Sequence, residues 1–289
     1  MQTPRDIVYQ IRSLRDGLSA TERKVADAIL DDIASAAGAT VDQLARKAGV
    51  SIATISRFAR AVGCDDTRDL KLRLAQASAV GERFLDPATP DESTFYARLY
   101  ADIESTLRQH LPLFTEALFE KAAALLGQAR MIYVFGMGGA SSMLAQETQS
   151  RLVRLGYPVA AYNDAVMMRM VGATLDERDA VLVLSSSGLT PEILDGARIV
   201  RQYGAHIVAL TDPDAPLAAL ADVTLPIRTA ETDFIYKPSS SRYAMLLAID
   251  ILATEMALAR QEQTQERLRR IKLALDEYRG GPNRLPLGD

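Results

Sequence analysis

Residues 181–192 read VLVLSSSGLTPE: four aliphatic residues, three serines, a glycine, then Leu-Thr-Pro-Glu. An aliphatic run without polar alternation describes a strand covered on both faces, as in a parallel sheet. Pro191 stands where a first helical residue tolerates a missing N–H, and Glu192 suits the positive end of a helix. The reading is strand, loop, helix. The unit recurs on either side: MIYVF (131–135) runs into GMGGASS (136–142), HIVAL (206–210) into TDPDAP (211–216), and VTLPI (223–227) closes the series. Helical stretches at 143–155, 193–203 and 217–221 separate these runs. The alternation predicts an α/β fold, a doubly wound parallel sheet of the flavodoxin/Rossmann kind with helices on both faces. An apolar-striped helix over 241–259 and a charged helix over 262–278 follow, and GGPNRLPLGD reads as a frayed tail.

Residues 5–80 have a different pattern, short helices with tight breaks. Ile7, Ile11 and Leu14 share one helical face. Ser19 and Glu22 have the form of a capping box, and Val25, Ile29 and Ile33 continue from it as one stripe. Two more helices are predicted, over 41–48 and 52–62. The stretch GERFLDPATPDEST (81–94) carries two prolines, a glycine and alternating charge, and reads as an interdomain linker. Helical periodicity returns from Phe95 to about Gln128. The expected organisation is an all-α domain over 1–80, the linker over 81–94, an α/β domain with its leading helices over 95–262, and a C-terminal helix and tail over 263–289. For 289 residues, about 150 per domain gives the same count of two.

With 48% apolar and 24% charged residues, the chain can bury a sizeable core and is not a largely disordered one. A single cysteine, Cys64, excludes an internal disulfide framework and reads as a small packed residue. His110 and His206 have no Cys or His neighbours, so no metal site is expected. The start, MQTPRDIVYQIRSLRD, has charges where a signal peptide needs apolar residues, and no apolar run approaches the ~18–20 residues that span a bilayer. The expectation is a soluble cytoplasmic protein with no membrane partner and no cofactor. The net charge of −4 argues against non-specific polyanion binding by the whole chain. Residues 45–73 nevertheless hold seven basic residues against three acids, a basic island that could mark a nucleic-acid face or a solvated helix surface.

The island overlaps VDQLARKAGVSIATISRFAR (41–60), which fits a bihelical DNA-binding unit. Ala45 is small where two helices cross, Gly49 falls in the turn, and Leu44, Ala48, Val50, Ile55 and Phe58 occupy inward positions. Ser51 can cap the second helix. In a helix-turn-helix the start of that second helix enters the major groove. The candidate DNA-binding residues are therefore Ser51, Thr54, Ser56, Arg57 and Arg60, with Arg57 on a guanine edge or, like Arg60, on phosphate. A helical hairpin that merely packs is the competing reading.

Two loops could bind an anion. GMGGASS lies between a strand and a helix but fails the dinucleotide fingerprint, which needs glycine at Ser141. SSSGLTPE (185–192) sets four hydroxyls and a glycine at a helix start, where backbone N–H groups favour a phosphate. Neither loop contains lysine, so a Walker-type site is not expected. Simple capping is the bland explanation for either loop alone. Two such loops at the carboxyl ends of neighbouring parallel strands converge on the crevice where open α/β sheets bind ligands.

The chain resembles the RpiR-type transcriptional regulators, which join an N-terminal helix-turn-helix domain to a sugar isomerase (SIS) domain. LSATERKVADAIL, GVSIAT followed by ISRFARAVG, FGMGGASS, LVRLG, SSSGLTPE, GAHIVALTD and SRYAMLLAIDIL carry the resemblance in this order, over nearly the whole chain. It implies that Ser185, Ser186, Ser187 and Thr190 hold the phosphate of a phosphosugar, with Gly138 and Ser141 from the glycine loop and Glu231 near the sugar. That loop is one residue longer than the commonest form, which leaves Ser142 as the alternative to Ser141. Asp164 lacks the histidine that many relatives carry two positions later.

The resemblance implies a DNA-binding regulator of carbohydrate metabolism whose affinity for double-stranded operator DNA is set by a phosphorylated sugar or sugar acid. It further implies a homodimer or higher homo-oligomer without catalytic residues. The alternative is a phosphosugar isomerase using the same pocket. Isomerisation needs a positioned base, and Glu192 and Glu231 are the only acids near the loops, while His206 and His110 read as structural or unpartnered. An NAD-dependent oxidoreductase fails at Ser141.

Overall fold

The computed structural model describes residues 6–80, 95–229 and 239–279, which form two compact units. Residues 81–94, read as the linker, lie outside the described residues.

The first unit is helical: α1 Ile7–Leu14, α2 Ala20–Asp31, α3 Ile33–Gly38, α4 Val41–Ala48, α5 Ile52–Ala61 and α6 Thr67–Ser78. Each begins with a side-chain cap, from Asp6, Ser19, Asp32, Thr40, Ser51 and Asp66 in turn. Caps of this kind contribute about 1 kcal/mol each. Ser19 and Glu22 form the expected capping box, and Thr40 with Gln43 forms a second. The single stripe through Ile33 is corrected. Asp32 leaves helical geometry at φ −154° and caps Ser35 N, so the chain turns between Ile29 and Ile33. The helix α6, absent from the sequence reading, buries Leu70, Leu74 and Ala77. Its stripe closes a core containing Ile11, Val25, Ile29, Leu44, Ile55 and Phe58.

The second unit opens with α7 Phe95–His110 and α8 Glu116–Gln128. It then alternates β1 Ile132–Gly136, α9 Gly139–Arg154, β2 Val159–Tyr162, α10 Ala165–Gly172, β3 Ala180–Ser185, α11 Pro191–Gln202, β4 His206–Thr211 and β5 Val223–Pro226. The helices α12 Ser241–Leu258 and α13 Gln261–Tyr278 end it. The five strands are parallel in the order β2-β1-β3-β4-β5. The central strand β3 is buried at every residue, as its aliphatic run requires. Leu182, Leu184, Val208 and Leu210 pack on one face with α8, α9 and α12, while Val181, Val183, Ile207 and Ala209 pack on the other with α10 and α11. The sheet is doubly wound as expected. The edge strand β2 and α10 are additions to the sequence reading, and the helix expected over 217–221 is a single 3-10 turn, Ala218–Leu220. Among the described residues no helix is long and apolar enough to cross a membrane.

Candidate functional site

In the first unit, α4 and α5 form a bihelical pair. Gly49 ends α4 at φ 62°, a left-handed conformation that glycine adopts without steric cost. Its N–H reaches Arg46 O at 3.1 Å and Val50 N reaches Ala45 O at 3.0 Å, which closes the turn tightly. Ser51 then caps α5, its Oγ accepting from Thr54 N at 3.3 Å.

The five candidates, Ser51 at the cap and the other four on α5, separate into two roles. Arg57 and Arg60 are exposed, and Ser51 is exposed at the helix start. Ser56 is half-buried, its hydroxyl donating back to Ile52 O at 3.4 Å. Thr54 corrects the expectation of a base-facing residue: it is 4% exposed, on the same stripe as Ile55 and Phe58. Its hydroxyl lies 3.0 Å from Ser51 Oγ and accepts from the Arg57 guanidinium at 3.3 Å, so it holds Arg57 rather than facing solvent.

The basic island is likewise partly committed to contacts within the fold. Arg46 pairs with Asp42, Arg73 with Asp69, and the Lys71 ammonium caps the α3 carbonyls of Ala36 and Ala37. Lys47, Arg60 and Arg68 make no ion pair among the described residues. Burial pushes the Cys64 thiol up to about 11, as suits a packed residue rather than a reactive one.

In the second unit, the chain runs from β1 to β2 in one direction and from β3 to β4 and β5 in the other. The crevice therefore opens between the carboxyl ends of β1 and β3, where an open sheet of this order binds its ligand. The loops of Gly136–Ser142 and Ser185–Thr190 leave those two ends. Close approach dictates Gly136: a β-carbon there would lie 2.4 Å from Ser141 O and 3.0 Å from Ala145 Cβ. Gly138, exposed at φ 77°, precedes α9 without any side-chain cap, and Thr190 precedes α11 likewise. Two helix starts thus present uncapped N–H groups at the crevice, the arrangement that favours an anion.

Hydroxyls lie along both loops. Ser141 is 9% exposed in the first turn of α9, and Ser142 is half-buried beside it. Ser185 is buried, its Oγ accepting from Gly188 N at 3.2 Å. Ser187 is exposed and its Oγ accepts from Leu189 N at 3.3 Å, while Ser186 O accepts from Asp212 N at 3.2 Å. Gly188, at φ 62°, fits closely against Thr211 and Ala215. Beyond β4, Arg228 pairs with Asp212 at 3.0 Å and Asp214 at 2.6 Å, neutralising carboxylates that would repel an anion nearby. Glu231 lies outside the described residues.

Other candidates have structural roles. Asp164 caps α10 through Met167 N at 2.8 Å. His206 begins β4 and is exposed, so five strand steps, about 16 Å, separate it from the carboxyl edge. His110 is 1% exposed, and both ring nitrogens are engaged, one with Thr106 O at 2.7 Å and the other accepting from Arg228 N at 2.9 Å. The sequence had shown no partner for it. Neither histidine is free to act as a base in the crevice. Thr211, which sequence reasoning passed over, ends β4 beside Ser185. The signal available was a lone hydroxyl closing an aliphatic strand.

Comparison with known proteins agrees with both units. Residues 5–81 match the family model of the rpiR-family helix-turn-helix domain, and residues 125–255 match that of the SIS domain. The chain is 33% identical over 288 residues to the HTH-type transcriptional regulator HexR of Pseudomonas aeruginosa, covering 99% of each chain. It is 31% identical to HexR of Escherichia coli, covering 98% of this chain and 99% of that one. Among solved structures, the Vibrio vulnificus NanR protein complexed with ManNAc-6P shares the fold, with a TM-score of 0.57, 23% identity, and coverage of 92% of this chain and 97% of that chain. With both domains matched in order and a regulator aligned from end to end, the chain belongs to the RpiR family of transcriptional regulators.

Proposed function

We propose that this regulator binds a phosphorylated sugar or sugar acid between the β1 and β3 loops, and that the bound ligand sets its affinity for operator DNA. The observation that carries the reading is the pairing of two uncapped helix starts, with Ser141, Ser185, Ser187 and Thr190 in their loops and first turns, at the point where the strand order reverses. A phosphate there receives N–H and O–H donors from both loops. Gly138 and Ser186 are proposed to line the same site, and Glu231 to approach the sugar. On the DNA side, Ser51, Ser56, Arg57 and Arg60 contact the duplex from α5, with Arg57 held in place by Thr54. A homodimer supplies two such helices to paired half-sites. A ligand shifts operator affinity only to the extent that it binds one dimer geometry better than another, typically by about 1–3 kcal/mol.

Fluorescence anisotropy tests the whole reading, with DNA from upstream of the protein's own gene against a scrambled duplex at fixed salt. A phosphosugar panel including ManNAc-6P is titrated in. Specific binding that one phosphosugar shifts is the expected result; no preference over scrambled DNA with any ligand overturns it. In the same assay, Ser185→Ala with Ser187→Ala leaves operator binding intact and weakens the effector response at least about 10- to 100-fold, since even one hydrogen bond to a charged group contributes about 1.5–3 kcal/mol. Unchanged effector titrations would remove these serines from the site. Arg57→Ala weakens operator binding by about 1–3 kcal/mol. If Arg57 reads a base, the loss is confined to one operator position; a uniform loss with a shallower salt dependence assigns it to phosphate.

A further inference from the structure

Thr211 is completely buried at the end of β4, yet its Oγ1 has no hydrogen-bond partner among the described residues. Between His206 and Thr211 the strand is aliphatic, Ile207-Val208-Ala209-Leu210. A buried hydroxyl left unpaired destabilises a fold, and valine would keep the shape without that cost. The strand does not need the hydroxyl, because the Thr211 carbonyl already accepts from Ile227 N at 2.8 Å.

The surroundings of the hydroxyl suggest its use. Thr211 and Ser185 are register partners on β4 and β3, so their side chains leave the same face of the sheet at its carboxyl edge. Both meet Gly188. The Gly188 N–H donates to Ser185 Oγ at 3.2 Å, and a β-carbon on Gly188 would lie 2.5 Å from Thr211 Oγ1.

We infer that Thr211 is a positioning residue of the anion site, donating its hydroxyl to Ser185 Oγ when Ser185 gives its own hydrogen to an oxyanion held over the loop. The inference rests on the reading of that loop as a phosphate site. A serine oxygen offers one hydrogen and two lone pairs. Gly188 N–H takes one lone pair, Thr211 O–H takes the other, and the hydrogen goes to the anion. The resulting chain of hydroxyls polarises toward the negative charge, so each bond strengthens the next. Thr211 thus exchanges stability of the fold for strength of binding, a pattern expected at functional sites rather than in a core.

The test uses the full chain, with inorganic phosphate as the probe, and follows thermal stability and calorimetric titration. Thr211→Val is expected to melt at the same temperature as the parent or a few degrees higher without phosphate, while its phosphate dissociation constant rises about 3- to 10-fold. Thr211→Ser, which keeps the hydroxyl, restores phosphate affinity to within about twofold. Parental phosphate affinity in Thr211→Val overturns the inference and leaves the site standing. So does a Thr211→Ser variant as weak as Thr211→Val, which would assign the effect to the lost methyl packing. Failure of the parent protein to bind phosphate overturns the site and this inference together.

Discussion

Gly188→Val abolishes effector control while leaving operator binding in place. Gly188 sits at φ 62°, where a side chain costs about 1–2 kcal/mol and a β-branched one more. The new β-carbon would also lie 2.5 Å from both Ala215 Cβ and Thr211 Oγ1. Ala215 Cβ has no rotamer with which to move away, so the loop must shift, and overpacking of this kind adds about 1–3 kcal/mol. Together these displace the N–H of Gly188 and the hydroxyls of Ser185 and Ser187 from their common centre. Effector affinity is expected to fall at least ~30-fold, the equivalent of about 2 kcal/mol. Titration calorimetry measures the loss, and circular dichroism checks that helix content is kept. A Gly188→Val protein that titrates like its parent would remove the loop from the binding site.

The second large effect is on the first unit. Phe58 is fully buried among Ile11, Val25, Ile29, Leu44, Ile55 and Leu70. Phe58→Ala removes about 3–5 kcal/mol, and a helical unit of this size has little more to spare. Scanning calorimetry of the full chain should show the transition of the first unit lowered by about 15–30 °C, with that of the second unit unmoved. Operator binding is lost at the temperature where the first unit melts, and effector binding persists above it. A single transition that moves as a whole would show that the two units unfold together.

Much of this architecture is legible in the sequence because each element carries its own pattern. The aliphatic runs of β1, β3, β4 and β5 are buried strands, and caps such as Ser19 and Ser51 stand one residue before their helices. β2 escapes because VAAY is short, alanine-rich and half-buried at an edge. The break at Asp32 escapes because Ile29 and Ile33 keep helical spacing across it, and periodicity cannot register a turn that preserves phase. Along α6, Leu70, Leu74 and Ala77 form a narrow stripe among charges, which the basic island obscures.

The site divides in the same way. Ser141, Ser185, Ser187 and Thr190 are conspicuous because hydroxyls crowd two short loops. Thr54 lies only three positions from Ser51, and its inward rotation follows from its sharing a stripe with Ile55 and Phe58. Thr211 belongs to no local pattern. Only the register of β3 against β4 brings it beside Ser185, and register is a property of the sheet.

The two loops of the second unit bring no lysine or arginine of their own: the cradle proposed there is one of amides and hydroxyls. Operator recognition, in the proposed reading through Arg57 and Arg60, works by the opposite means, displacing the cations condensed on a duplex, so it weakens steeply as salt is added. A neutral cradle releases no such ions, and added salt reaches it only through screening of the ligand's own charge. Ionic strength therefore loosens the protein's hold on DNA much faster than its hold on the metabolite. The molecule can stay loaded with its signal under conditions that have already lifted it from the chromosome.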